Sequence, residues 1–273
     1  MHYCPRFVRA GNIDPLNLAI RDVRKMRLRD AAIKDGRARL DALFGEQGFN
    51  TVIVSNESAL GDPFNDRDPG FFPLLVPAAA GLKEMFSGYH VVPMFFVRDQ
   101  ASLLPSFYGQ RVRQGASESF PAFVARAQRY DLSWQPVIAA ISEAFIRPVE
   151  LHRFEDFAAH PADYTRALFA SYCGAAAWQT EGSFVKNKAA KSHALRLMLT
   201  VNNLVDRLIF LKASKRLIIK KRVRRLLFPF FERIKSGYKL QMSPDDQKAL
   251  SSLYKTDVEA LPKKKGPAQE NRP

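Results

Sequence analysis

Most of the chain repeats apolar positions with the period of a helix, and two short apolar runs and one mixed stretch break that rhythm. Asp14-Pro15 starts a helix through Leu16, Ile20, Val23 and Met26. A more charged one follows through Ile33, Leu40 and Leu43 and ends near Gly45 to Gly48. The first apolar run, Thr51 to Val54, is short and β-branched and reads as a buried strand. Leu74 to Phe86 returns to helical spacing. The second run, His90 to Val97, is too short for a helix and too uniformly apolar for a half-wet strand, so it predicts a strand covered on both faces. Ser119 caps a helix through Phe120, Phe123 and Ala127, and Trp134 to Phe145 forms another. Pro148 to Arg153 is the third strand, with a helix from Ala162 to Tyr172 after it.

Strands separated by helices predict an α/β fold, with a parallel sheet flanked by helices and right-handed crossovers. In such sheets ligands sit beyond the carboxyl ends of the strands, which gives weight to the residues found there. The second strand ends in Arg98-Asp99, and Ser102 is positioned to cap a helix with Pro105 inside its first turn. A helix N-terminus offers N–H groups to an anion, so Arg98 with Ser106 reads as a phosphate clamp. The alternative is a strand-end arginine paired to an acid. The first strand ends in Ser55-Asn56-Glu57-Ser58, where Glu57 is either a general base for an acceptor hydroxyl or part of the cap of the next turn. Phe64, Phe71 and Phe72 flank a loop rich in Pro, Gly and Asp, and either shape an acceptor pocket or join the core. His152, alone on the third strand, is a structural histidine or a catalytic one.

A strand, Arg98-Asp99, then Ser106, Tyr108, Gln110 and Gly115 resemble the 3'-phosphate-binding segment of sulfotransferases that use 3'-phosphoadenosine 5'-phosphosulfate (PAPS). Phe154-Glu155-Asp156-Phe157 is similar to the run that ends a later strand of that family, and Ser243 to Leu261, with Tyr254 and Asp257, to the closing helix of its bacterial members. The resemblance covers most of residues 51–261. It implies a P-loop NTPase-like sulfotransferase fold as a single domain over 1–261, with an α/β part to 180 and a helical cap over 181–261. It also implies transfer of a sulfuryl group from PAPS to a hydroxyl or amine, a carbohydrate among the candidates, with no metal. Arg98 and Ser106 then hold the nucleotide's 3'-phosphate, Lys186 and Lys188 close over it, and Glu57 is the base.

One departure counts against a complete donor site. The family's Lys-Ser/Thr-Gly-Thr-Thr type loop, which cradles the 5'-phosphosulfate, has no counterpart, and no G-x-x-x-x-G-K-S/T occurs in the chain. Met1 to Pro5 reads like the segment that follows that loop. Two alternatives stay open: the loop lies upstream, or the protein is a nucleotide-binding or interaction protein without transferase activity. The first predicts catalysis from a longer chain. Without the loop, the chain as written is expected either to be poorly soluble or to patch the gap with its N-terminal residues.

Charge adds a further possibility. The formal net charge is +15, and residues 184–240 carry sixteen Lys and Arg against two acids, Asp206 and Glu232. Apolar stripes through Ala194, Leu197, Val201 and Leu204, and through Ile219, Val223 and Leu226, alternate there with the basic run from Lys215 to Arg225. Such a surface meets an anionic lipid or polyanion, or is the solvated flank of a helical cap. No feature implies a specific nucleic-acid site. Two cysteines without paired spacing predict neither a disulfide framework nor a metal site. No apolar run long enough to span a bilayer and no signal-peptide core appear, so the expectation is cytoplasmic. Ser243-Pro244-Asp245-Asp246 predicts a helix start, and Pro262 onward a disordered tail.

Overall fold

The computed structural model of the chain describes residues 15–25, 28–46, 51–64, 69–173, 192–207, 219, 222–223, 226–227, 240–255 and 257. These divide between two compact units. One is drawn from Met1–Val97, Ser133–Phe184 and Glu259–Pro273, the other from Arg98–Leu132 and Val185–Val258. The class is broadly α/β: mostly helical, with one two-stranded parallel sheet.

The first unit opens with α1 (Pro15–Asp22) and α2 (Arg29–Asp41), whose last turn loosens into a π-helical one at Ala42–Glu46. Both lie close to the predicted spans, because Leu16, Ile20, Val23, Ile33 and Leu40 form one apolar stripe and all are buried together. Leu82 and Met85 of α3 (Leu75–Met85) close that core. Two glycines set how near these helices come. A Cβ on Gly36 would lie 2.5 Å from Met85 Sδ, and one on Gly81 would lie 2.5 Å from Val23 Cγ2.

Residues 51–54 are not a strand. They are half-buried, and Val52 and Val54 pack against the α1–α2 core. Their β-branched side chains fit an apolar surface without needing a ladder, and that fit is what β-propensity measures. Phe64 and Phe72 are buried, and Phe71 lies 5.2 Å from Trp134, with Phe95 5.5 Å from the same indole. Of the two readings of these rings, the core is the one observed.

β1 (Met94–Val97) and β2 (Glu150–Arg153) pair in parallel, with Phe96 opposite His152 and Val97 opposite Arg153. The predicted run from residue 90 is thus shortened to its second half. Pro93 has no N–H to extend the ladder, though its carbonyl still accepts from Glu150 N at 2.8 Å. Nor is β1 covered on both faces: Val97 is buried, but Phe96 is partly exposed. Helix α6 (Gln135–Phe145) packs on α3, while α7 (Phe154–Ala159) and α8 (Pro161–Cys173) follow β2.

The second unit is organised on α4 (Gln100–Gln114). Against it pack α5 (Phe120–Ala127), α9 (Ser192–Asp206) and α10 (Pro244–Leu253). Ser119 and Ser243 cap α5 and α10 as their sequences predict, each accepting from the N–H three residues on. Gly115 takes the left-handed conformation at the end of α4, and Asn202 of α9 donates to two carbonyls there, Val112 O at 2.9 Å and Ala116 O at 2.8 Å. Much of the basic run from Lys215 to Arg225 falls outside the described residues, as do Lys186 and Lys188 and the N-terminal segment 1–14.

Two predictions follow from backbone geometry. Gly81→Ala forces a methyl group into Val23 and should lower stability by about 1–3 kcal/mol, read from urea unfolding midpoints. Ile146, 79% exposed, closes α6 at φ 53°, a conformation costly for a β-branched residue. Ile146→Gly should therefore raise stability by about 1 kcal/mol; an unchanged or lower midpoint would contradict the strain.

Candidate functional site

The chain leaves β1 at Val97 and enters α4 within three residues, and the side chains of that turn divide the work differently from expectation. Asp99, not Ser102, is the N-cap. Its Oδ2 accepts from Ser102 N at 2.8 Å and its carbonyl accepts from Leu103 N at 2.9 Å. Both residue types cap well, but an Asp brings its negative charge to the positive end of the helix. With the cap at Asp99, Pro105 falls in the second turn, where its missing N–H costs the bond that would otherwise reach Ala101 O.

Ser102 is thereby free of capping duty and takes another role. Arg98 Nε donates to Ser102 Oγ at 3.0 Å, and Ser102 Oγ donates to Asp99 O at 3.0 Å. The guanidinium is held by one edge against the first turn of α4. Ser106, four residues beyond Ser102 and therefore on the same helix face, is exposed. Of the two residues of the predicted phosphate clamp, Arg98 is bonded to Ser102 and Ser106 stands exposed one turn further along the helix.

Behind that turn lies a buried polar node that sequence reasoning missed. Gln100, 1% exposed, donates from Nε2 to Leu132 O at 3.1 Å and to Asp257 Oδ2 at 3.1 Å. Leu132 N donates to Tyr254 Oη at 2.9 Å. No local pattern announces bonds across such separations; only the presence of Tyr254 and Asp257 beyond α10 marks the segment.

Glu57 is exposed in a turn of the first unit, and its neighbour organises that turn. Asn56 Oδ1 accepts from Ser58 N at 2.8 Å, and Asn56 Nδ2 donates to Asn17 O at 3.1 Å. His152 is buried in a polar cluster of the first unit. Its Nδ1 lies 2.6 Å from Tyr164 Oη, its Nε2 faces Glu150 Oε1 at 3.3 Å, and its ring stacks on Phe96 at 5.0 Å. Tyr172 donates to the other oxygen of Glu150. The alternation of Glu150 and His152 on one strand face, and of Tyr164 and Tyr172 on one face of α8, is the signal that could have found this cluster. At 2% exposure His152 acts through its neighbours, which fits the structural reading. Among the described residues no cluster of three or more metal-ligating side chains occurs, and no helix is long and apolar enough to cross a membrane.

Burial, followed by the bond to Glu150 and its charge, pushes the Tyr172 phenol up to about 12 from its ordinary 10. Between those values the unfolded chain gives up a proton that the folded one keeps, so folding stability should fall as pH rises from 10 through about 12. Tyr172→Phe should flatten that fall, measured as urea midpoints against pH; an unchanged slope would show that the phenol ionises freely in the fold.

No known protein family matches the chain, and neither the curated proteins nor the solved structures contain a match to it.

Proposed function

We propose that the chain binds an adenosine nucleotide bearing a 3'-phosphate through Arg98 and the Ser102–Ser106 face of α4, and acts as a PAPS-dependent sulfotransferase on a hydroxyl or amine acceptor. One observation carries the reading: the Arg98 guanidinium is fixed by its Nε to Ser102 at the N-terminal turn of a 15-residue helix. That turn combines a formal positive charge with the positive end of the helix dipole, and a phosphate dianion is the ligand both favour. Asp99 opposes this with its own charge, so selectivity rests on a guanidinium whose direction is set in advance. The resemblance adds Lys186 and Lys188, outside the described residues, as the closing cations.

In the transfer, the acceptor's oxygen or nitrogen bonds to sulfur as the sulfur–oxygen bond to the 5'-phosphate breaks, and the bisphosphate leaves with that electron pair. A base takes the acceptor's proton, and Glu57 is the candidate that the resemblance supplies. Catalysis of this kind asks the protein for in-line positioning and charge stabilisation more than for covalent chemistry.

A second reading, nucleotide or polyanion binding without transfer, is favoured by the missing Lys-Ser/Thr-Gly-Thr-Thr type loop. The basic run from Lys215 to Arg225 would supply the cationic face that an anionic lipid or polyanion meets. The two readings share a first test. Adenosine 3',5'-bisphosphate titrated calorimetrically into the wild type should bind, and Arg98→Ala should weaken it about 10- to 100-fold, the loss expected for charge-assisted hydrogen bonds. Equal affinities, or no heat from a well-folded wild type, would end the nucleotide assignment. Affinity for heparin that falls steeply with salt and ignores the nucleotide would favour the polyanion instead.

A further inference from the structure

The residues that touch Arg98 explain how its guanidinium is aimed, but not what fixes the turn from which it projects. That turn is Arg98-Asp99-Gln100, and its last member is tied to two distant pieces of chain. Gln100 spends both hydrogens of its side-chain amide, one on the Leu132 carbonyl and one on the Asp257 carboxylate, each at 3.1 Å. Leu132 is held at its other backbone group too, since its N–H donates to Tyr254 Oη at 2.9 Å. Gln100, Leu132, Tyr254 and Asp257 are each less than one-tenth exposed. Ser251 adds a long hydrogen bond of 3.5 Å to Asp99 Oδ1.

We infer that Tyr254 and Asp257 are positioning residues: together with Gln100 they form a clasp by which the C-terminal segment holds the Arg98 turn in its anion-binding direction. The inference rests on the nucleotide reading above.

Three features favour positioning over simple stabilisation. First, the clasp converges on the first residue of α4 and the backbone of Leu132, while the apolar packing of α10 is supplied elsewhere, by the buried Leu250 and Met242. Second, the side-chain oxygen of Gln100 is buried with no partner among the described residues. A buried polar group left half satisfied is a poor way to gain stability, and such groups persist where geometry matters more. Third, the bonds are directional. An amide that donates at once to a fixed carbonyl and a fixed carboxylate has a single orientation, which transmits to the backbone of Gln100 and hence to Asp99 and Arg98.

A positioning role makes a claim that a structural role does not: losing the clasp should weaken only the contact that Arg98 makes. The test uses the full chain as Asp257→Ala, Asp257→Asn and Tyr254→Phe, each alone and combined with Arg98→Ala. Adenosine 3',5'-bisphosphate and adenosine 5'-phosphate are titrated into every variant. Asp257→Ala and Tyr254→Phe should each weaken the bisphosphate about tenfold, the loss of one hydrogen bond's worth of alignment. They should leave the 5'-phosphate nearly unchanged and add nothing on the Arg98→Ala background. Asp257→Asn, which keeps an oxygen to accept from Gln100, should restore most of the affinity. Hydrogen exchange at the amides of Ser102 and Leu103 should quicken in Asp257→Ala. Equal weakening of both nucleotides, losses that add to that of Arg98→Ala, or unchanged affinities in the variants overturn the clasp while leaving the nucleotide reading intact. A wild type that does not bind the bisphosphate overturns both. Should Asp257→Ala fail to fold, Tyr254→Phe, which removes a single oxygen, carries the same comparison.

Discussion

The Asp99 carboxylate decides where α4 begins, and much of what is distinctive about the chain follows from that starting point. Placing the cap there keeps Arg98 outside the helix, with its side chain folded back onto Ser102. It puts Gln100 at the first helical position, facing the buried side, and leaves Ser102 and Ser106 stacked on a common face. A cap three residues later would lose all three arrangements at once. The cost is an acid beside a cation at the place where an anion is proposed to bind. A fixed guanidinium tolerates that neighbour better than a flexible lysine would, because its donors keep their direction.

The first unit is governed by closeness instead of charge. Gly36 lets Met85 of α3 press against α2, and Gly81 lets Val23, just past α1, press against α3, each filling space that a Cβ would otherwise occupy. Nearby, a conjugated ring contact does similar work for the sheet. Phe96 and His152, opposite one another in the parallel ladder, stack at 5.0 Å, and Glu150 and the Tyr164 phenol meet the two ring nitrogens. A two-stranded ladder is marginal alone, and these side-chain contacts are what make it persist.

Elements with a local signature were legible in the sequence: the caps of α5 and α10, the apolar stripe shared by α1 and α2, and the predicted strands His90 to Val97 and Pro148 to Arg153, whose parts at 94–97 and 150–153 pair in parallel. Misreadings came where two local rules competed. Asp99 and Ser102 both satisfy the cap rule, and only the backbone decides. Residues 51–54 have strand composition but no strand beside them among the described residues. At the candidate site, Arg98 was found through its place at a strand end, whereas Gln100 was invisible. A glutamine at the start of a helix looks solvated until a carbonyl and a carboxylate from far along the chain arrive beside it. Asn202, set inside a leucine stripe, was overlooked for the same reason: its partners are main-chain groups, and those leave no trace in composition.

Each compact unit is assembled from pieces that alternate along the polypeptide, and this has a bearing on synthesis. Helix α4 emerges from the ribosome long before α10, which must dock on it. Until Tyr254 and Asp257 have been made, Leu132 N–H and one hydrogen of the Gln100 amide lack the acceptors they have in the fold, so the intermediate stays open and exposed to chaperones and proteases. By the same logic no single proteolytic nick can release one unit from the other, and loss of the last two dozen residues would be felt at the start of α4.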